Sequence, residues 1–89
     1  MSFGPEHPDV ATSLEAMGVA CLDQGKYGEA ETLLKRALTL YEKDLGADHP
    51  HVARCCTNAA QCCRALGRAA EAEKLDARAK AILETQDQE

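Results

Sequence analysis

Apolar positions along this chain recur at the three- and four-residue intervals of helices, and no segment alternates with period two over a strand's length. Glycine and proline punctuate the pattern. Pro8 and Pro50 each follow a histidine and open a helix-compatible run, where a first-turn proline forfeits no hydrogen bond. Gly25 and Gly67 come about four turns later and suit the left-handed residue that ends a helix. The pattern predicts four helices, at roughly 9 to 24, 26 to 45, 50 to 66 and 68 to 84.

A shift of 42 residues lays the chain over itself. "GPEHPDVA", Gly4 to Ala11, falls on "GADHPHVA", Gly46 to Ala53, and "EAETLLKRA", Glu29 to Ala37, falls on "EAEKLDARA", Glu71 to Ala79. A turn and a helical pattern that recur together form a duplicated supersecondary unit, and a period of this size marks a solenoid. The expected fold is all-α, with two stacked helical hairpins, residues 4–45 and 46–87, in one domain. Ala30 and Ala37 are one heptad apart on the second helix, so both project from the same face and let a partner helix approach closely.

The first unit presents Leu14, Met17, Gly18, Cys21, Gly25, Tyr27, Ala30, Leu34 and Ala37 in order. The second presents Cys56, Ala59, Ala60, Cys63, Gly67, Ala69, Ala72, Asp76 and Ala79. In this order the chain resembles tetratricopeptide repeats, and its "GxxHPxVA" linker is similar to that of the longer repeats of kinesin light chains and nephrocystin-like proteins. Cys21 and Cys63 depart from the usual aromatic, and Asp76 from the usual bulky apolar residue. The resemblance implies a binding scaffold in which the first helix of each hairpin lines a concave surface that holds peptide segments.

Composition narrows the function classes. The net charge is -5 with three aromatic residues in all, which supplies neither a basic footprint nor a stacking platform for nucleic acid. No apolar run is long enough to span a bilayer, and "MSFGPEHP" lacks the basic and apolar parts of a secretory signal, so neither a membrane nor secretion is expected. Five cysteines without a disulfide framework's spacing suit a reducing, cytoplasmic setting.

Four of the five cysteines stand as adjacent pairs, Cys55 with Cys56 and Cys62 with Cys63. Cys56 and Cys63 share a stripe with Ala59 and Ala60, the expected hairpin interior, while Cys55 and Cys62 lie on the flank facing the preceding helix. Sulfurs one heptad apart on a helix are separated by about 10 Å along its axis, too far to converge on one tetrahedral ion. The expectation is packing, with no metal and no cofactor. His7 and His49 hold equivalent linker positions and are expected to cap or staple the turns. Glu31 and Lys35 have the spacing of a solvated surface ion pair. No phosphate loop, nucleophile motif or carboxylate pair suggests an enzyme.

The candidate groove is the arc of the first helix holding Thr12, Glu15, Val19 and Asp23, beside the arc of the third holding Arg54, Thr57, Asn58, Gln61 and Arg64. The third helix carries two arginines and no acid, which favours an acidic or carboxylate-bearing protein or peptide partner. The leading expectation is thus a non-catalytic protein-interaction module. A solenoid segment that only extends an array or self-associates through its N-terminal hairpin is the alternative, and a thiol redox sensor a weaker one. Asp76 and Lys80 replace Leu34 and Leu38 under the shift, so the last helix is expected to end an array, with the tail "TQDQE" in solvent.

Overall fold

The computed structural model describes residues 8–87, with side chains from 10 to 85. The turn role expected of His7 lies outside the described residues. Four helices follow one another: α1 (Pro8–Asp23), α2 (Tyr27–Leu45), α3 (Pro50–Ala65) and α4 (Ala69–Asp87). Each boundary has a local cause. Pro50 opens α3, and the His49 side chain caps it, with Nδ1 accepting from the backbone N–H of His51 at 3.1 Å. Gly25 and Gly67 adopt φ of 81° and 84°, which lets the next backbone N–H return to a carbonyl five residues back: Lys26 to Cys21 at 2.8 Å and Arg68 to Cys63 at 2.7 Å. The last helix runs past the expected end near residue 84 to Asp87, so the tail begins as helix rather than coil. No glycine or proline stands between Ala69 and Asp87 to stop it.

Helix α1 packs on α2, α3 on α4, and α2 on α3, while α1 meets α3 along a narrow line. The result is a slab with extents of 41 × 35 × 16 Å. In so thin a body α2 must serve two neighbours at once, and its residues Ala30, Leu34, Ala37 and Tyr41 are all buried. The side chains of α3 that meet it are small. Cys55, Cys56, Ala59 and Cys62 are completely buried, and Cys55 and Cys56 join Ala37 and Tyr41 while Ala59 and Cys62 join Ala30 and Leu34. Ala59 therefore faces the seam with α2, not the hairpin interior alone. Ala60 and Cys63 close the second hairpin against Ala72.

Gly18 marks the tightest approach inside the first hairpin. A Cβ there would lie 2.7 Å from Cγ and 2.9 Å from Cδ2 of the fully buried Leu34. The repeat-equivalent pair is Ala60 and Asp76, so the second hairpin has the larger residue on one helix and no leucine on the other. We expect Gly18→Ala to destabilise the chain by about 1–3 kcal/mol, overpacking outweighing the roughly 1 kcal/mol that alanine gains in a helix. In a Leu34→Ala background that cost should disappear. Chemical denaturation of the four proteins of this cycle checks both statements.

Candidate functional site

The face shared by α1 and α3 is organised around Glu15. This carboxylate is only 6% exposed, and burying an ion costs several kcal/mol unless it is paired and hydrogen-bonded. Arg54 reaches it from α3 with two bonds, Nε to Oε2 at 2.5 Å and Nη2 to Oε1 at 3.0 Å. Tyr41 from α2 places its hydroxyl 3.0 Å from Oε1 and 3.1 Å from the Thr12 hydroxyl. Three helices thus converge on one carboxylate. Burial pushes the Tyr41 phenol up, and the adjacent Glu15 charge adds to that, so the hydroxyl stays a donor. The Glu15 bonds hold the Arg54 guanidinium firmly charged. His51 stacks beside Tyr41 with ring centroids 5.1 Å apart, and burial, then Arg54 and His49, lower its pKa and favour the neutral ring.

A second buried carboxylate ties the hairpins together toward the other end of the α2–α3 seam. Glu31, 8% exposed, meets Arg68 at 2.6 Å and Lys35 at 3.1 Å, and accepts from the Cys63 thiol at 3.7 Å. Lys35 also bonds Glu71 of α4 at 2.8 Å. The Glu31–Lys35 pair expected to be solvated is therefore half of a four-membered bridge between α2 and the second hairpin. Glu31, Cys63 and Glu71 bring one donor atom each within 4.8 Å of one another, a spacing a cation could use. Two bases already neutralise those two carboxylates, so the arrangement is an ion-pair cluster with its charge satisfied. Arg78 of α4 completes the seam by pairing with Glu42 of α2.

The expected groove residues separate into three groups. Glu15 is inside the protein, and Val19 is partly buried against the Ala30, Leu34 and Cys62 cluster, so both hold the face together from behind. Arg54 and Arg64 stand on the face but have resident partners, Glu15 and Asp76. The picture of α3 as an uncompensated basic face changes accordingly: its arginines are neutralised by acids from α1 and α4. Thr12, Asp23, Thr57 and Gln61 remain exposed, and Asn58 is partly buried beside them. The Thr57 hydroxyl turns back to the Ala53 carbonyl at 3.1 Å, whereas the amides of Asn58 and Gln61 have no hydrogen-bond partner among the described residues.

A family model described as the tetratricopeptide repeat matches residues 9–85, which takes in all but the first residue of α1 and most of α4. The chain belongs to the tetratricopeptide-repeat family. The kinesin light chain-like form suggested by the linker is compatible with that match. No curated protein matches the chain. Tetratricopeptide repeats generally mediate protein–protein interaction, and the paired helices and small-residue seams found here are the means by which such repeats stack.

In this tetratricopeptide-repeat chain the cysteine pairs fill space. Cys55, Cys56, Cys62 and Cys63 are fully buried and Cys21 partly so. Burial pushes the Cys55 thiol up to about 12, with the Glu15 charge adding to it, and burial likewise raises Cys56, Cys62 and Cys63. Thiolate is the reactive form, so this is the reverse of what a redox sensor needs. We expect Cys21 alone to react promptly with a thiol reagent in the native protein, and the other four to follow only at the rate of unfolding. Mass spectrometry of partially labelled protein reads the order directly.

The Glu15 network makes a second testable claim. Arg54→Ala leaves a buried carboxylate without its cation, and because the arginine side chain is 53% exposed the loss is expected to be screened to roughly 1–3 kcal/mol. In a Glu15→Gln background the same substitution should cost much less. Urea titration of the double-mutant cycle measures the coupling, and additive effects would contradict the bond's role.

Proposed function

We propose that this chain is a non-catalytic protein-interaction module of cytoplasmic type, whose α1 and α3 face holds an extended peptide or partner segment. The observation that carries this reading is the pair of uncommitted amides, Asn58 and Gln61, on a face whose two arginines are already engaged. Each amide offers both a donor and an acceptor, which suits the repeating N–H and C=O groups of an extended backbone. Arg54 and Arg64 flank the amides and reach a ligand only by sharing their bonds with Glu15 and Asp76. The favoured ligand is accordingly a polar segment of low charge, and the preference for acidic partners becomes secondary.

A second reading, self-association through the N-terminal hairpin, is favoured by a different observation. Met17 on α1 is 49% exposed, and Leu14 of the same helix lines an open groove with Leu40 of α2. An exposed apolar residue and an open apolar groove on the same hairpin are features of interaction surfaces.

Selection of a displayed random-peptide library on the 89-residue chain tests the peptide reading. Selected peptides are expected to lose about tenfold or more in affinity, equivalent to about 1.4 kcal/mol, on an Asn58→Ala, Gln61→Ala variant. They should be indifferent to Met17→Ser. Failure to select any binder, or equal binding by the amide variant, would support the alternative in which the repeats serve only as a structural segment.

A further inference from the structure

The chain's two hairpins are related by its internal repeat, so the interface between them shows what each outer face is shaped to meet. On α4, Arg78 pairs with Glu42 of α2, and just before α4, Arg68 pairs with Glu31 of α2. Shifting the basic residues back by one repeat gives Arg36 and Lys26, and shifting the acids forward gives Glu84 and Glu73. All four are exposed, and their side chains have no ion-pair partner among the described residues. The outer face of the first hairpin therefore carries two basic groups, and the outer face of α4 carries two acids, in the spacing that the internal seam uses.

The apolar groups follow the same translation. Tyr41 of α2 is 1% exposed and packs with Cys56 and Ile82 of the second hairpin. Shifted forward, Tyr41 becomes Leu83, which is 48% exposed; shifted back, Cys56 and Ile82 become Leu14 and Leu40. Those two leucines, with Arg36 and Thr39, line a groove of about 480 Å³. An exposed leucine on one face and an open leucine-lined groove on the other are thus placed where the internal interface puts a knob and its hole.

We propose that the outer face of α1 and α2 docks the α4 face of a second copy of this chain, head to tail and in the register of the internal repeat. This deepens the self-association reading above and rests on it. Leu83 of one copy enters the groove at Leu14 and Leu40 of the next, while Glu84 meets Arg36 and Glu73 meets Lys26. The contact is heterologous, so it leaves one free face at each end and can add further copies. It is also weaker than the internal seam. Asp76 and Lys80 stand where α2 uses Leu34 and Leu38, and the internal Lys35–Glu71 bond has no counterpart because position 77 is alanine.

Sedimentation equilibrium of the full chain over a micromolar to millimolar series tests this. The weight-average mass is expected to rise with concentration beyond that of a dimer. Arg36→Glu and Glu84→Arg should each weaken association by about tenfold or more, since each sets like charges opposite one another across the contact. An equimolar mixture of the two variants should restore it, because each variant's altered face then meets an opposite charge and the unaltered faces still match. Both residues are exposed, and helical circular dichroism of each variant confirms that folding is kept. A monomer throughout the series would overturn self-association altogether. Association that ignores both charge reversals, that mixing does not restore, or that stops at a closed dimer would overturn the register while leaving self-association standing.

Discussion

Close approach of α2 and α3 is the constraint on which this molecule depends. A slab 16 Å in its shortest extent has little apolar area to bury, and among the described residues the long seam joining the hairpins is the one between these two helices. Alanine and cysteine supply the short reach: Ala30 and Ala37 on α2 meet Cys55, Cys56, Ala59 and Cys62 on α3, all fully buried. Small side chains contribute little burial each, but they bring backbones near enough for flanking groups to meet. That proximity lets Arg54 reach Glu15 near one end of the seam and Arg68 reach Glu31 near the other.

The two buried carboxylates give the seam its register. An apolar stripe of similar small residues tolerates sliding by a turn, because alanine and cysteine differ little in shape. A carboxylate sunk beneath the surface does not. Displacing Arg54 from Glu15 would leave an uncompensated charge, a penalty larger than most apolar contacts here can offset. Position is thus specified by the charged groups and proximity by the small ones. The exposed ends of Arg54 and Arg68 keep the desolvation cost moderate.

Much of this architecture was legible in the amino-acid sequence. The repeat offset, the turn glycines and the stripe through Cys56, Ala59, Ala60 and Cys63 located four helices and two hairpins, because those signals are local or periodic. The carboxylates were not legible. Glu15 sits on the same arc as exposed residues, and its repeat equivalent is Thr57, so neither periodicity nor repetition marks it as buried. Its partner Arg54 aligns with Thr12, one helical turn away, and only the stagger between α1 and α3 brings the two together. Glu31 misled for a related reason. Its spacing to Lys35 fits a surface pair, and nothing nearby in the chain points to Arg68 across the seam. Contacts between elements depend on offsets that no single helix encodes.

The same offsets decide what the binding face can be. On the sequence, an α3 with two arginines and no acid reads as a basic strip awaiting an anion. In the folded chain each arginine faces an acid from a different helix, so their charge is largely spent on holding the structure. What the face retains is hydrogen-bonding capacity, concentrated in Asn58 and Gln61, which repel no ligand and attract none from a distance. Selectivity on such a face must come from shape and from the cost of leaving amides unpaired, rather than from electrostatic steering. Among the charges without an ion pair in the described residues, Arg36 and Lys26 lie on one outer face and Glu73 and Glu84 on the other. Those four charges favour attraction along the axis of repeat stacking, whereas the α3 part of the peptide-facing surface, its arginines paired, exerts little pull at a distance.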